Sequence, residues 1–333
     1  MAIVEKAEVV ILGGGMVGLS VAKQLIERNI AQKIIIIEKE SALGKHASGR
    51  NSGVLHAGIY YKPGTIKAKV CVEGAKRLRK WIKDKALPIN NCGKLIVPTK
   101  EDQDGQLDEL MRRGHENGAE VELWSDEILK KKYAYVKSAT GRCLWSPNTA
   151  VVKPKAVIEA LYEELEHVGV KFYKDQKGYK INVGNKSIKI GERESICYGH
   201  LFNCTGLHAD QIAHTFGLGL EYSLLPFKGL YWEIGSNSRI QPTTNIYPVP
   251  DLNVPFLGVH FTPSADRIPK VTIGPTATPA LGRENYSSME GIEGDILLRQ
   301  FKILASQYIT DTGNIRRYAH EQALLFFKPL LNF

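Results

Sequence analysis

The feature that most constrains this chain is Gly13-Gly14-Gly15-Met16-Val17-Gly18, set between an apolar run, Glu8-Val-Val-Ile-Leu, and a segment from Leu19 to Asn29 with helical character. Lys33 to Glu38 then reads as a second strand. Its isoleucines at 34–37 suit a parallel strand buried on both faces. A G-x-G-x-x-G turn in a strand–helix–strand context is a dinucleotide-binding turn. Gly13 permits the tight turn, Gly15 leaves room for a pyrophosphate, and Gly18 lets the helix pack on the strand. The helix N-terminus offers unpaired amides and partial positive charge to the phosphates. Glu38, twenty residues beyond Gly18, ends the second strand, where a carboxylate can accept from a ribose hydroxyl and disfavours a 2′-phosphate. Met16, Val17 and Lys39 join the expected cofactor-binding residues of this strand–helix–strand unit.

The stretch from Gly44 to Gly58, rich in Gly, Ser, Asn and His, is too polar for a core element and reads as a functional loop. Residues 65–84 and 101–118 read as helices and 94–98 as a strand. Pro154 stands at a helix start and Gly169 at its end, and His200 to Cys204 forms a short apolar strand. From about residue 220 the texture changes to strands with Pro and aromatic residues, including Tyr231-Trp-Glu-Ile, Tyr247-Pro-Val-Pro, Phe256-Leu-Gly-Val-His-Phe and Val271-Thr-Ile-Gly-Pro. That pattern fits mixed or antiparallel pairing better than further βαβ units.

With 333 residues the chain can bury a large core, and 43% hydrophobic against 24% charged residues excludes intrinsic disorder. The net charge of +9 is dispersed, so no nucleic-acid partner is expected; the Lys130–Lys132 run reads as a solvated helix face. Five cysteines show no C-x-x-C pair and no zinc-like spacing, which implies free thiols, a reducing compartment and no metal. No leader pattern or membrane-spanning run is evident. The expected location is cytoplasmic, with room for peripheral association at the inner face of the cell membrane.

The fingerprint alone does not separate NAD from FAD. The segment Ser48-Gly-Arg-Asn-Ser-Gly-Val-Leu-His-Ala-Gly-Ile-Tyr-Tyr-Lys-Pro-Gly, however, resembles the loop after the second strand in the D-amino-acid-oxidase-like flavoprotein superfamily. Within that superfamily it is most similar to L-2-hydroxyglutarate dehydrogenases and oxidases. The resemblance recurs at Asn203-Cys-Thr-Gly-Leu-His-Ala-Asp, Leu225-Pro-Phe-Lys-Gly-Leu-Tyr, Tyr247-Pro-Val-Pro-Asp, Pro255-Phe-Leu-Gly-Val-His-Phe-Thr-Pro and Ile273-Gly-Pro-Thr-Ala, covering nearly all of the chain.

The resemblance implies an α/β protein with a discontinuous Rossmann-like FAD-binding domain, residues 1–85 and 146–218. A substrate domain of mixed β-sheet plus helices takes 86–145 and 219–333, with the active site expected between the two. Ser48, Arg50, Asn51 and Ser52 would lie along the pyrophosphate and flavin, and Thr205 and Gly206 would pass the cofactor. The implied reaction is oxidation of L-2-hydroxyglutarate to 2-oxoglutarate, with hydride transfer to flavin N5 and reoxidation by a quinone or oxygen. His56 or His260 would take the hydroxyl proton, since an imidazole titrates near the working pH. Tyr60, Tyr61, Lys228, Tyr247, Thr262 and Arg283 would hold the 2-hydroxy dicarboxylate, Arg283 bidentately and Lys228 as a point charge.

The chain departs from the family pattern in lacking a last segment with Gly-rich loops over the flavin, and stops at Leu324-Leu-Phe-Phe-Lys-Pro-Leu-Leu-Asn-Phe. This leaves three alternatives in play. One is a related FAD enzyme for an amino acid or glycerol 3-phosphate. Another is a shortened or partner-dependent subunit, and the last is an NAD dehydrogenase, which leaves the 48–61 loop without a purpose.

Overall fold

The computed structural model describes residues 3–192, 194–250, 258–266, 270–287, 290–311 and 316. It divides into two compact units, and the chain passes twice into each: residues 1–51 and 154–226 make the first, 52–153 and 227–333 the second. Segments 52–85 and 146–153, expected in the FAD-binding domain, therefore lie in the second unit. Backbone pairing explains this, since residues 54–55 and 89–90 flank and pair with 150–152 in one small sheet.

The first passage supplies β1 (Ile3–Leu12), α1 (Met16–Glu27) and β2 (Ile34–Ile37). The second unit opens with β3 (Val54–Leu55), α2 (Ile66–Asp84), β4 (Ile89–Asn90), β5 (Lys94–Val97), α3 (Asp104–Glu116), β6 (Glu122–Ser125), α4 (Asp126–Lys132), β7 (Arg142–Ser146) and β8 (Ala150–Val152). The chain then returns to the first unit with α5 (Pro154–His167), β9 (Lys171–Tyr173), β10 (Lys180–Asn182), β11 (Ser187–Ile190), β12 (Glu194–Asn203) and α6 (Ala209–Thr215). It ends in the second with β13 (Phe227–Glu233), β14 (Asn245–Pro248), β15 (His260–Pro263), β16 (Val271–Pro279) and α7 (Gly294–Thr310).

In the first unit six strands run in the order β10-β11-β12-β1-β2-β9. β12, β1, β2 and β9 are parallel, and the β10–β11 hairpin adds antiparallel strands at one edge. All four isoleucines of β2 are buried, as a central parallel strand requires. α1 buries Gly18, Leu19, Ala22 and Leu25, and α5 buries Val157, Ile158, Leu161 and Leu165, each a stripe with helical spacing. Lys23 on α1 pairs with Glu164 on α5. The opposite sheet face collects Val10, Leu12, Ile35, Ile37, Ile196 and Tyr198 into a second apolar layer, against which Ile212 of α6 packs.

The second unit is built on a mixed seven-stranded sheet, β13-β16-β15-β14-β5-β7-β6, in which only β14 and β5 pair in parallel. The edge strand β6 has no clear sequence signal, because a strand with solvated positions resembles a loop in composition, whereas β7 is an inner strand paired on both sides by β5 and β6. One face of this sheet packs Ile96 and Leu144 against Leu107 and Leu110 of α3 and against Ala57 and Ile59. On the other face Leu95, Val97 and Cys143 pack with Trp124, Leu129 and Val136, and Trp124 stacks on Trp145 at 4.8 Å. Lys130 to Lys132 form the exposed last turn of α4, as expected, and Lys130 pairs with Asp126. Of the quoted motifs, Asp251 and Pro255 to Leu257 fall outside the described residues, as does the terminal 324–333 run.

Candidate functional sites in the two units

In the first unit the fingerprint forms one wall of a cleft of about 350 Å³, lined by Gly13, Gly15, Glu38, Lys39, Ser48, Thr205 and Gly206 among others. The loop geometry follows from close backbone approach. Gly13 has φ +102°, and a Cβ there would lie 2.4 Å from the Cys204 carbonyl oxygen. A Cβ on Gly18 would lie 2.0 Å from the Gly13 carbonyl oxygen and 3.2 Å from Ile11. Gly15 occupies the N-cap of α1, so the helix opens directly at the cleft. The Ser48 hydroxyl accepts from the Met16 amide at 2.9 Å, at the end of the helix where an anion is favoured.

Glu38 is buried and ties two turns together: Oε2 accepts from the Gly14 amide at 2.8 Å and Oε1 from the Glu40 amide at 2.9 Å. Each carboxylate oxygen has capacity for a further donor, which a ribose hydroxyl can supply. Lys39 and Lys45 line the cleft and share the single Glu40 carboxylate at 2.9 and 3.9 Å, which leaves the wall net positive, and His46 lines it while contacting Glu40 at 3.2 Å. Thr205 donates to Asn203 Oδ1 at 2.7 Å, and Gly206 has φ +55°. An open helix terminus, a buried carboxylate at the end of β2 and cationic walls fit the adenosine diphosphate half of a dinucleotide.

Met16, Val17, Arg50, Asn51 and Ser52 are not among the residues lining this cleft. Arg50 donates to the Lys45 carbonyl at 2.8 Å, and Asn51 donates to the Ala47 and Ser48 carbonyls, so both shape the 44–51 loop. The side chains of Met16 and Val17 line a separate outer groove with Phe202, and Ser52 belongs to the second unit beside Tyr231. Lys45, His46 and Tyr179 were not anticipated as cleft residues. They come from loops whose proximity depends on the sheet.

The second unit gathers a polar cluster inside its mixed sheet. Strand register places Lys94, Ile96, Asn245 and Tyr247 on one face, since Lys94 is opposite Asn245 and Ile96 opposite Tyr247. Ile246 is opposite Phe261, which brings His260 beside Tyr247; their rings stack at 3.8 Å. His56 meets Tyr60 and Tyr247 edge-on at 6.4 and 6.2 Å. Lys94 Nζ lies 4.4 Å from the Tyr60 ring centre and 5.2 Å from that of Tyr247. His56 Nδ1, Tyr60 Oη, Lys94 Nζ and His260 Nε2 are buried without a hydrogen-bond partner among the described residues. Buried polar atoms are ordinarily satisfied, so four together mark a site built for a ligand.

His260 Nδ1 lies 3.0 Å from the Gly258 carbonyl, which can only accept, so Nδ1 carries the hydrogen and Nε2 presents its lone pair. Burial lowers the His260 pKa to about 4, opposed by the bond to Gly258 and aided by Lys94. Burial likewise lowers His56 to about 3, with Lys94 and His260 adding to the effect. Both imidazoles are thus neutral in the native protein where they would be charged in an unfolded chain. Between pH 6.5 and about 4 the unfolded chain binds the extra protons, so stability falls with pH by roughly 1.4 kcal/mol per pH unit per histidine. The thermal midpoint is expected to drop across this interval, and less steeply in His260→Asn. A flat profile in the parent protein would contradict the assignment.

The remaining expected substrate contacts are distributed through the same unit. Thr262 is buried on β15, two residues from His260, and Arg283 is buried with its amide donating to Glu293 at 2.6 Å. Lys228 donates to Asn285 Oδ1 at 2.8 Å. Tyr61 is partly exposed, with Lys67 Nζ 5.3 Å from its ring centre. Lys94 is absent from the residues expected from sequence, although a lysine opening the apolar strand Lys94-Leu-Ile-Val is a usable signal of a buried charge.

Comparison with known proteins gives the same family. The FAD dependent oxidoreductase (DAO) family profile matches residues 8–318. The chain is 36% identical to the mitochondrial L-2-hydroxyglutarate dehydrogenase of Caenorhabditis briggsae, covering 88% of this chain and 68% of that protein. It is 36% identical to L-2-hydroxyglutarate dehydrogenase of Indibacter alkaliphilus, covering 85% of this chain and 71% of that protein. Among solved structures, FAD-bound L-alpha-glycerophosphate oxidase from Mycoplasma pneumoniae superposes with a TM-score of 0.70 at 23% identity, covering 86% of this chain and 76% of that one. Glycine oxidase from Geobacillus kaustophilus gives a TM-score of 0.67 at 17% identity, covering 89% and 78%. Both structural likenesses concern the fold. With the profile spanning almost the whole chain and the dinucleotide cleft in place, the chain belongs to the DAO family of FAD-dependent oxidoreductases.

Proposed function

We propose that this protein oxidises L-2-hydroxyglutarate to 2-oxoglutarate. The observation that carries the reading is the buried cluster of the second unit, where an unprotonated imidazole nitrogen stands near a buried lysine and two tyrosines. Oxidising a 2-hydroxy acid requires removal of a hydroxyl proton and binding of carboxylate charge. His260 supplies the first, because its bond to Gly258 fixes the tautomer with Nε2 as acceptor. The bound FAD supplies a two-electron acceptor. Ser48, Glu38, Thr205 and the α1 terminus would hold it, as the cleft geometry supports.

The names of the relatives support this substrate over an amino acid or glycerol 3-phosphate. We take a quinone or oxygen as the terminal acceptor. We place the protein in a reducing compartment such as the cytoplasm, consistent with five free cysteines. Several relatives are named mitochondrial, and among the described residues no helix is long and apolar enough to cross a membrane.

The test is a visible spectrum of the purified protein followed by anaerobic addition of each 2-hydroxyglutarate enantiomer. Bleaching of the flavin absorbance by the L form alone is the expected result. Bleaching instead by an amino acid or by glycerol 3-phosphate would replace the proposed substrate.

A further inference from the structure

The second unit contains a buried lysine with no hydrogen-bond partner of its own. Lys94 is fully buried, its Nζ has no hydrogen-bond partner, and no carboxylate pairs with it among the described residues. It stands at the start of β5, so its stem is fixed by the sheet. The Tyr60 and Tyr247 rings give it cation–π contacts at 4.4 and 5.2 Å, which cannot replace the hydration lost by an ammonium. Such a group is retained at a cost to the free protein, and a ligand of opposite charge would offset it.

Resting on the proposed 2-hydroxy acid reading, we propose that Lys94 is the cation that receives a carboxylate of the substrate. The groups facing it are consistent with an anionic ligand. His56 on the loop before α2 and His260 on β15 are neutral bases, Tyr60 and Tyr247 are kept protonated by burial, and Cys71 of α2 has its thiol raised by burial. None is an acid that would compete for the ammonium. Lys94 itself is lowered to about 7 by burial, with Cys71 opposing the shift, so much of it is neutral above that pH in the ligand-free protein. A bound carboxylate favours the ammonium, and binding above pH 7 therefore takes up a proton.

Two properties of the FAD-loaded protein test this. One is calorimetric titration with 2-oxoglutarate, and separately succinate, at pH 8 in two buffers of different ionisation enthalpy. The other is the kcat and KM for L-2-hydroxyglutarate. The parent protein is expected to take up close to one proton on binding. In Lys94→Met both Kd and KM should rise about 10²-fold and the proton uptake should disappear, while Lys94→Arg should recover part of the affinity. Methionine removes a buried charge while filling similar space, so the variant is expected to fold, and retained flavin absorbance checks it.

A Lys94→Met protein with Kd within threefold of the parent and the same proton uptake would overturn the Lys94 assignment while leaving the proposed reaction standing. Proton-coupled, Lys94-dependent binding of succinate by a protein that does not oxidise L-2-hydroxyglutarate would keep Lys94 as a carboxylate receptor and overturn the substrate. Failure to bind either carboxylate would overturn both.

Discussion

His260→Asn is expected to lower kcat by about 10²–10⁴-fold while leaving FAD bound. Asparagine can keep a donor toward the Gly258 carbonyl, but it has no equivalent of Nε2, the atom that is buried and unpartnered in the native protein. Because burial holds the imidazole near pKa 4, the base remains unprotonated from pH 8 down to about 5. The parent enzyme should therefore show no histidine-like loss of kcat/KM near pH 6.5. His56→Asn provides the contrast: His56 is also buried with a bare Nδ1, yet among the described residues no hydrogen bond fixes its tautomer. A smaller loss is expected there. If His56→Asn proves the more damaging and His260→Asn retains near-normal turnover, the proton acceptor is His56.

Gly18→Val is expected to release the cofactor and destabilise the first unit by about 3 kcal/mol. The new Cβ would lie 2.0 Å from the Gly13 carbonyl oxygen, a backbone atom that cannot move aside as a flexible side chain would. Gly13 is closely packed against Cys204, since a Cβ there would lie 2.4 Å from the Cys204 carbonyl oxygen, and the Cys204 amide donates to the Leu12 carbonyl at 2.8 Å. Displacing α1 therefore also disturbs the exit of β12 and the cleft wall carrying Thr205. The measurements are the ratio of flavin to protein absorbance after gel filtration and the thermal midpoint with and without added FAD. Full flavin occupancy and an unchanged midpoint would show that the helix tolerates the shift.

The cofactor half of the molecule was largely legible in the residues. The turn from Gly13 to Gly18, the isoleucines of β2 and Glu38 act within one contiguous strand–helix–strand unit, where steric limits and apolar periodicity are local properties. Arg50 and Asn51 show the limit of that reading. Their polar side chains suit a cofactor and also bond to nearby loop carbonyls, and residue type alone does not say which of these roles a side chain takes. The domain boundaries also depended on pairing between distant strands, as β3 and β4 find β8.

What the sequence by itself determined is a βαβ dinucleotide turn and, through its matched segments, the oxidoreductase family. Tertiary structure alone decided that Lys94, His56, Tyr60, Tyr247 and His260 share one buried cluster, because strand register aligns Lys94, Tyr247 and His260 and the loop after β3 packs His56 and Tyr60 onto them, joining residues up to 204 positions apart, counted from 56 to 260. It also decided which imidazole nitrogen bears a lone pair and that Lys94 lies away from water. Those are properties of packing: the backbone carbonyl that orients His260 and the rings that enclose Lys94 acquire their chemical effect only when the sheet holds them in place.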